Sequence, residues 1–354
     1  MSGIQNGNTL TVAPRPDDDL APLVVRDYAP TDADAALACN HAVFHAARPG
    51  QPRLSAAHWH WKFHGHSSGR HLSMVAEHPE DGLVGLYGAI PIEVTRRGVR
   101  RLAAQGVDQG VRAAWLRHGG EAGLFVRLGQ AFQHRWLHGA SDGIDFLYGL
   151  PVAGWRSGAR RLGWQIARDW DLTYRELAPG AAPRPVPADL HVEVLPRAPA
   201  DVDALFAAVE PSLPLATVRD RRYLDWRYAD HPDRRHELLA CRERGTGRLR
   251  GLAVTTVGDL VRPHTTFVLD WLQALDDADT MAALLGTIEA RARAAQTGFV
   301  ASVWNAMDPR FAAMQEHGYR VRGTAWFLAV AAEAYDPVYF RENFWFTLGD
   351  SDLL

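Results

Sequence analysis

The chain has 354 residues, 47% hydrophobic and 22% charged, with a formal net charge of −3. That length allows two domains with a core each, and the near-neutral balance gives no electrostatic reason to expect a nucleic-acid or acidic-membrane partner. Cys39 and Cys241 form no metal or disulfide spacing, and no signal-peptide core or spanning apolar run is present, so the expected setting is a reducing cytoplasm.

Residues 1–20 are polar and rich in Asp and Pro, and read as a disordered leader. Leu23–Tyr28 reads as a strand. Pro30-Thr31-Asp32 then caps a helix through Ala46, whose apolar residues recur at helical spacing. His71–Glu77, Leu83–Val94 and Val99–Val111 read as three strands, with turns at Pro79–Gly82 and Arg96–Gly98. A glycine-rich turn leads to an amphipathic helix, Ala122–Leu137, and to Ile144–Leu150, a short apolar strand of the kind buried on both faces. Residues 178–189 carry Pro179, Pro183, Pro185 and Pro187, and read as a semi-rigid linker closing a first domain over 21–177.

The order restarts in 190–354. His191–Leu195 is a strand, Asp201–Val209 a helix, and Leu238–Cys241, Leu252–Thr256 and Thr265–Leu269 are strands. A helix over Asp279–Ala295, a buried strand over Phe299–Trp304 and a helix over Asp308–His317 follow. Asn343–Asp350 is too aromatic to stay free and should pack back on the body.

Two segments say nearly the same thing. His58-Trp59-His60-Trp61-Lys62-Phe63 is answered by Tyr223-Leu224-Asp225-Trp226-Arg227-Tyr228: aromatic, two residues, Trp, basic, aromatic. Met74–Glu77 and Gly85-Leu86 are likewise answered by Leu238–Cys241 and Gly251-Leu252, and later Leu162-Gly163-Trp164 by His317-Gly318-Tyr319. A period this long is no solenoid. It reads as two copies of one domain-sized unit, with Trp59, Trp61 and Trp226 in the core.

Between the third strand and the next helix lies Arg117-His118-Gly119-Gly120-Glu121-Ala122-Gly123-Leu124-Phe125. Glycines there let backbone N–H groups approach a phosphate, with the helix N-terminus facing the anion. It is neither a P-loop nor GxGxxG. It fits Arg-x-x-Gly-x-Ala, and at this point the chain resembles the GNAT superfamily of acyl-CoA-dependent N-acyltransferases, in which such a pattern cradles the coenzyme A pyrophosphate. Gly163-Trp164 and Gly318-Tyr319 stand where GNAT units close on Gly-Phe.

Trp-x-Trp-Lys-Phe, Tyr148-Gly149-Leu150-Pro151, Tyr223–Tyr228 and Phe346-Thr-Leu-Gly-Asp-Ser-Asp352 are similar to a tandem-GNAT group. Members of that group include N-acyltransferases acting on nucleotide-linked amino sugars for surface polysaccharide. The match runs from about residue 23 to the last residue. It implies an α/β (α+β) fold of two GNAT-like domains in tandem, each a mixed, mostly antiparallel sheet flanked by helices. It also implies coenzyme A or acyl-CoA as co-substrate, no metal, a small-molecule amine as acceptor, and a cradle of Val111, Arg117, His118, Gly119, Gly120, Glu121, Ala122 and Gly123. One departure is Val111-Arg-Ala-Ala-Trp-Leu116, where the group has a proline and a shorter turn, so Gly120 and Gly123 both stand as the key backbone donor. The second copy has Gln273-Ala-Leu-Asp-Asp-Ala-Asp279 at this junction, with no glycine and three aspartates that would repel a pyrophosphate. The first copy should therefore bind the donor, and the second should be structural or shape the acceptor pocket. A carrier protein as donor, a catalytically silent ligand-binding tandem and a homodimer stay open.

Attack of an amine on a thioester needs a proton acceptor, a polarised carbonyl and a proton for the leaving thiolate. Asp108, on the strand feeding the cradle, is the candidate base, with Glu93 as the alternative. Four residues before the Gly-Phe position, where the superfamily often puts a proton-donating tyrosine, stands Ala159. Tyr148 is the nearest substitute, though packing between domains would also account for it. His58, His60, His64, His66 and His71 fit no zinc spacing, although His-x-His pairs on a strand would share one side. His58, His60 and Tyr223 are instead candidate contacts to the acceptor. Lys62 is the single lysine among 38 basic residues, and reads as coding bias without functional weight.

Overall fold

The computed structural model describes residues 23–47, 53–66, 68–118, 123–138, 141–151, 160–178, 180 and 184–354. The expected leader, Gly119–Ala122, Ala159 and residues 179 and 181–183 of the expected linker lie outside them.

In chain order the first half runs β1 Val24–Asp27, α1 Ala33–Ala47, α2 Ala56–Phe63, β2 Met74–His78, β3 Gly82–Arg96, β4 Val99–Val111, α3 Leu124–Trp136, β5 Phe146–Gly149 and β6 Gln165–Glu176. The second runs β7 Leu190–Leu195, α4 Val202–Val209, β8 Leu215–Thr217, α5 Arg221–Leu224, β9 Glu237–Glu243, β10 Leu249–Gly258, β11 Thr265–Gln273, α6 Ala278–Ala294, β12 Phe299–Val303, α7 Pro309–Glu316, β13 Arg320–Ala332, α8 Pro337–Asn343 and β14 Phe344–Trp345. Apart from the short β8, the first eight elements of the first half recur in order in the second. Among the described residues no helix is long and apolar enough to cross a membrane.

Among the described residues all fourteen strands belong to one sheet, ordered β1-β2-β3-β4-β5-β13-β6-β12-β11-β10-β9-β7, with β8 attached to β3 and β14 to β8. Pairing is antiparallel except at β4–β5, β11–β12 and β8–β14. The centre of the order departs from a simple tandem. β6 lies between β12 and β13, and β13 lies between β5 and β6, so each half's sheet is completed by a late strand of the other half. The sequence reading gave neither β6 nor β13, because Arg168, Asp169, Asp171 and Arg175 break up the apolar alternation of β6.

Successive strand residues point to opposite faces. Met74 and Ala76 enter the core beneath α3, whereas Val75 enters a core on the other face that both halves share. The core beneath α6 is a third, separate cluster. The repeated Gly-Leu has a packing reason. A Cβ on Gly85 would stand 2.8 Å from Leu128 Cδ1 of α3, and one on Gly251 would stand 2.5 Å from Thr280 Cγ2 of α6. Each glycine lets its helix lie close on the sheet.

The repeated tryptophans meet each other. Trp61 Nε1–H donates to Trp226 O at 2.6 Å and Trp226 Nε1–H donates to Trp61 O at 2.9 Å, with the rings stacked 5.4 Å apart. This reciprocal contact makes a local two-fold relation between α2 and the π-turn Asp225–Ala229 that follows α5. The His-x-His reading as a strand is corrected here, since 56–63 is helical, N-capped by Ser55. Residues two apart on a helix diverge. His60 is exposed and stacks on His64, while His58 turns toward the second half.

Three histidines around this pair, His66 and His231 buried and His236 half-buried, are held in neutral form. Burial, then His71, pushes His66 down to about 4; burial, then Arg227, pushes His231 down to about 2 and His236 to about 4. Their ordinary value is 6.5, so below it the unfolded chain binds protons that the folded chain refuses. Stability should therefore fall as pH drops from about 6.5 toward 4, by about 1.4 kcal/mol per pH unit per histidine. Urea unfolding at a series of pH values would show it, and His66→Asn should flatten the slope. An acid slope identical in that variant would remove His66 from the account.

Candidate active site

The site begins at an irregularity in β4. Leu86 pairs Gly110 and Gly88 pairs Val107, so the single residue Tyr87 faces both Asp108 and Gln109. Asp108 has φ +50°, the left-handed conformation of a bulge residue. A bulge kinks and over-twists its strand. The β4–β5 pairing ends at Gln105↔Tyr148 and β5 itself ends at Gly149, so among the described residues the β4 edge Gly106–Val111 has no partner strand on that side, and this open edge is the wedge of the site.

The far end of the wedge is the junction singled out by its glycines. Val111 is buried in the core beneath α3. The extra residues Arg112–Leu116 form a 3-10 turn that plugs Trp115 beneath the junction, with its Nε1–H on Asp81 Oδ2 at 3.2 Å and its ring beside His78 and His118. Arg117 is exposed, and His118 Nδ1 is buried with no hydrogen-bond partner among the described residues. Gly119, Gly120, Glu121 and Ala122 lie outside the described residues. Gly123 caps α3 at φ +76°, and a Cβ there would stand 3.0 Å from Leu116 O. α3 therefore begins directly after Gly123, which puts the positive end of its dipole at this junction, with no side-chain cap among the described residues.

The second half repeats the bulge but not the opening. Val254 pairs Asp270 and Thr255 pairs Val268, which leaves Leu269 as the extra residue in β11. Beyond the short β11–β12 pairing the chain fills its own space. Arg310, 1% exposed and paired with Asp308, donates from Nη1 to Gln273 O at 3.2 Å, and Gln273 Nε2–H donates to Asp277 O at 3.1 Å. Leu348–Asp350 pack against β11.

At the start of the first wedge lies a cavity of about 50 Å³ that both halves line, among others through Lys62, Gln105, Tyr148, Tyr223, Arg227 and Asp352. It adjoins a cleft of about 1280 Å³, bounded by Arg53–His58 on one side and by 233–237, the end of β10 and the end of α6 on the other. His58, Arg234 and Leu354 line both spaces.

Tyr148 is fully buried and lines this cavity, and its hydroxyl has no hydrogen-bond partner among the described residues. Burial, then the Asp350 charge, raises its pKa well above the ordinary phenol value, so it stays a neutral donor. Tyr223 lines the same cavity, its hydroxyl 3.5 Å from Gly349 O. Asp108 stands one residue behind the wall. Its carboxylate meets Lys62 Nζ at 2.7 Å and accepts from Asn40 Nδ2 at 3.1 Å. Glu93 is half-exposed beside Arg100 at 3.9 Å, outside this cavity, and His60 lies away from it. Tyr148, Tyr223 and His58 are thus brought together, with Asp108 joined to them through Lys62.

The lone lysine, dismissed as coding bias, sits at the centre of the charges. It is 4% exposed and holds Asp108 and also Asp352, the latter at 3.1 Å. Burial alone would lower its pKa, but Asp108 and Asp352 together hold it above the ordinary lysine value. The sequence reading missed Asp352, Arg234 and Asp233. Asp352 reaches Lys62 across 290 positions and Asp233 reaches His58 across 175, so no local pattern carries them. One signal was available, namely a single lysine in a chain that otherwise uses arginine. Among the described residues no group of three or more His, Cys, Asp or Glu could hold a metal ion.

The sequence matches no protein-family model and no curated protein. Solved structures do resemble it in fold. A GCN5-related N-acetyltransferase from Anabaena variabilis superposes with a TM-score of 0.62 at 10% identity, over 88% of this chain and 73% of that one. A tandem GNAT protein from the clavulanic acid biosynthesis pathway gives 0.53 at 16%, over 89% and 100%. Saccharomyces cerevisiae N-myristoyltransferase with bound myristoyl-CoA gives 0.55 at 11%, over 90% and 86%. The mixed sheet flanked by helices is therefore a GNAT-like architecture.

Proposed function

We propose that the chain is an acyl-CoA-dependent N-acyltransferase. Its first unit, 21–177, binds the donor, and its second, 190–354, walls the acceptor. The observation that carries this reading is the asymmetry of the two wedges. The first leads from a bulge at Asp108 to the amide end of α3, while Arg310 and the 348–350 segment close the second. The pyrophosphate of coenzyme A suits the α3 amide end, and the pantetheine suits the strand edge Gly106–Val111. The thioester would then stand near Gln105 and Tyr148, where Tyr148 is placed to give a proton to the leaving thiolate.

The acceptor belongs in the adjoining cleft. Arg53, Arg234 and Arg235 line it without an ion-pair partner among the described residues, while Arg291 is paired with Glu237. Unpaired guanidinium groups favour an anionic amine, and bidentate donors match phosphate. A nucleotide-linked amino sugar meets both requirements, and its size suits the volume.

Thiol release from acetyl-CoA with a panel of nucleotide-linked amino sugars and uncharged amines tests the reading. Turnover confined to uncharged amines would reject the acceptor class, and none with any amine would reject acyl transfer. Gly123→Val should weaken coenzyme A binding in calorimetry by about tenfold or more, because the added Cβ meets Leu116 O and φ turns unfavourable. An unchanged affinity would move the donor away from this junction.

A further inference from the structure

We infer that His58 and Asp233 form a catalytic dyad, with His58 Nε2 taking the proton from the acceptor's ammonium group. The inference rests on the acyl-transfer reading and names the base for it. His58 stands on the first turn of α2, and Asp233 on the second half, in the loop before β9. His58 Nδ1 and Asp233 Oδ2 are 2.6 Å apart. A carboxylate can only accept, so Nδ1 carries the proton and Nε2 keeps its lone pair. No group among the described residues hydrogen-bonds Nε2.

Position gives the dyad its use. His58 lines both the large cleft and the inner cavity, so an acceptor held in the cleft with its amine reaching inward passes this ring. The ring is held from behind. Trp61 and His231 each contact it edge-on at 5.2 Å, and Ser55 Oγ fixes its backbone amide. The side chain of His58 is 15% exposed, whereas that of Asp233 is 48% exposed. The imidazole is therefore sheltered beside the substrate while its partner stays wet.

The groups facing His58 are Asp233, His231, Lys62, Asp108 and Arg234. Burial and Lys62 favour the neutral ring, Asp233 and Asp108 oppose them, and the net shift is downward, so at neutral pH His58 is ready to accept. Asp108 is less suited to that task, because Lys62 already occupies its carboxylate at 2.7 Å.

In the step itself, the ammonium gives one proton to His58 Nε2. The nitrogen lone pair forms the N–C bond to the thioester carbonyl carbon, and the C–S bond breaks with its electron pair on sulfur. The nitrogen's second proton passes to the thiolate, with Tyr148 O–H placed to relay it, giving amide and free thiol. The imidazolium then returns its proton to water in the open cleft.

The test is steady-state thiol release from acetyl-CoA, with the best amine of the panel above, for wild type, His58→Gln and Asp233→Asn across about pH 6 to 9. We expect His58→Gln to lower kcat by about 100-fold or more, with KM for acetyl-CoA little changed, and to abolish the acid limb of the kcat profile. Asp233 is half-exposed, so Asp233→Asn keeps the fold. It should lower kcat by about tenfold and move the acid limb to lower pH, because the carboxylate raises the ring's pKa. A His58→Gln enzyme retaining wild-type kcat and profile would overturn the dyad while leaving acyl transfer intact. An Asp233→Asn profile superposing on wild type would overturn the carboxylate's part. Wild-type protein silent with every amine would overturn acyl transfer and the dyad together, which the wild-type rate alone distinguishes.

Discussion

Arg219→Met should lose about 3–5 kcal/mol of folding stability, the cost of leaving buried charges without their partner. Arg219 is 1% exposed, and all three of its nitrogens are engaged. Nε–H donates to Asp270 at 3.1 Å, Nη1–H to Thr217 O at 2.9 Å, and Nη2–H to Thr347 Oγ1 at 3.0 Å and Asp350 Oδ2 at 2.7 Å. Tyr228 O–H donates to Asp270 at 2.9 Å, and Trp345 stacks under the guanidinium. The cluster ties the β11 bulge to the 347–351 segment, part of which lines the inner cavity. The variant should thus show a lower unfolding midpoint and faster amide exchange over 344–354. Adding Asp350→Asn should restore part of the loss, since one stranded charge is removed. A variant with wild-type stability would mean that water reaches both carboxylates and that the cluster does not pin the segment.

Lys62→Met is the second large effect, at about 3 kcal/mol. The methionine fills the same volume but strands Asp108, whose side chain is 14% exposed, while Asp352 at 37% can turn to water. The loss therefore belongs mainly to Asp108, and Lys62→Met with Asp108→Asn should recover much of it. A double-mutant cycle by urea unfolding measures the coupling, for which about 1–3 kcal/mol is expected. Additive losses would show that Lys62 matters through packing alone.

The junction proposed for the donor was legible in the chain because it is local chemistry. A glycine-rich strand-to-helix junction concerns residues within a few positions of one another, and the structure adds only why the turn is long, namely to seat Trp115 against Asp81 and His78. The duplicated Gly-Leu was legible for the same reason, as each glycine is set by the helix directly above its strand, whereas the duplicated Trp motif was legible only as a repeat and the fold shows that its two copies meet. His58 and Tyr148 were legible as residue types. The roles proposed for them came only with what the fold sets beside them.

Strand periods, helix caps and the asymmetry between Arg117–Gly123 and Gln273–Asp279 were determined by the sequence itself, because backbone hydrogen bonding and side-chain period depend on near neighbours. Tertiary structure alone decided which strand completes which sheet. β6 and β13 each offer the same backbone donors and acceptors to either open edge, so nothing in their residues names the partner. Their exchange joins the halves, and the joined halves bring His58 to Asp233 and Lys62 to Asp352. Charges separated by that much chain meet only when a shared core has fixed the backbones carrying them, since a surface-strength ion pair cannot order the intervening chain by itself.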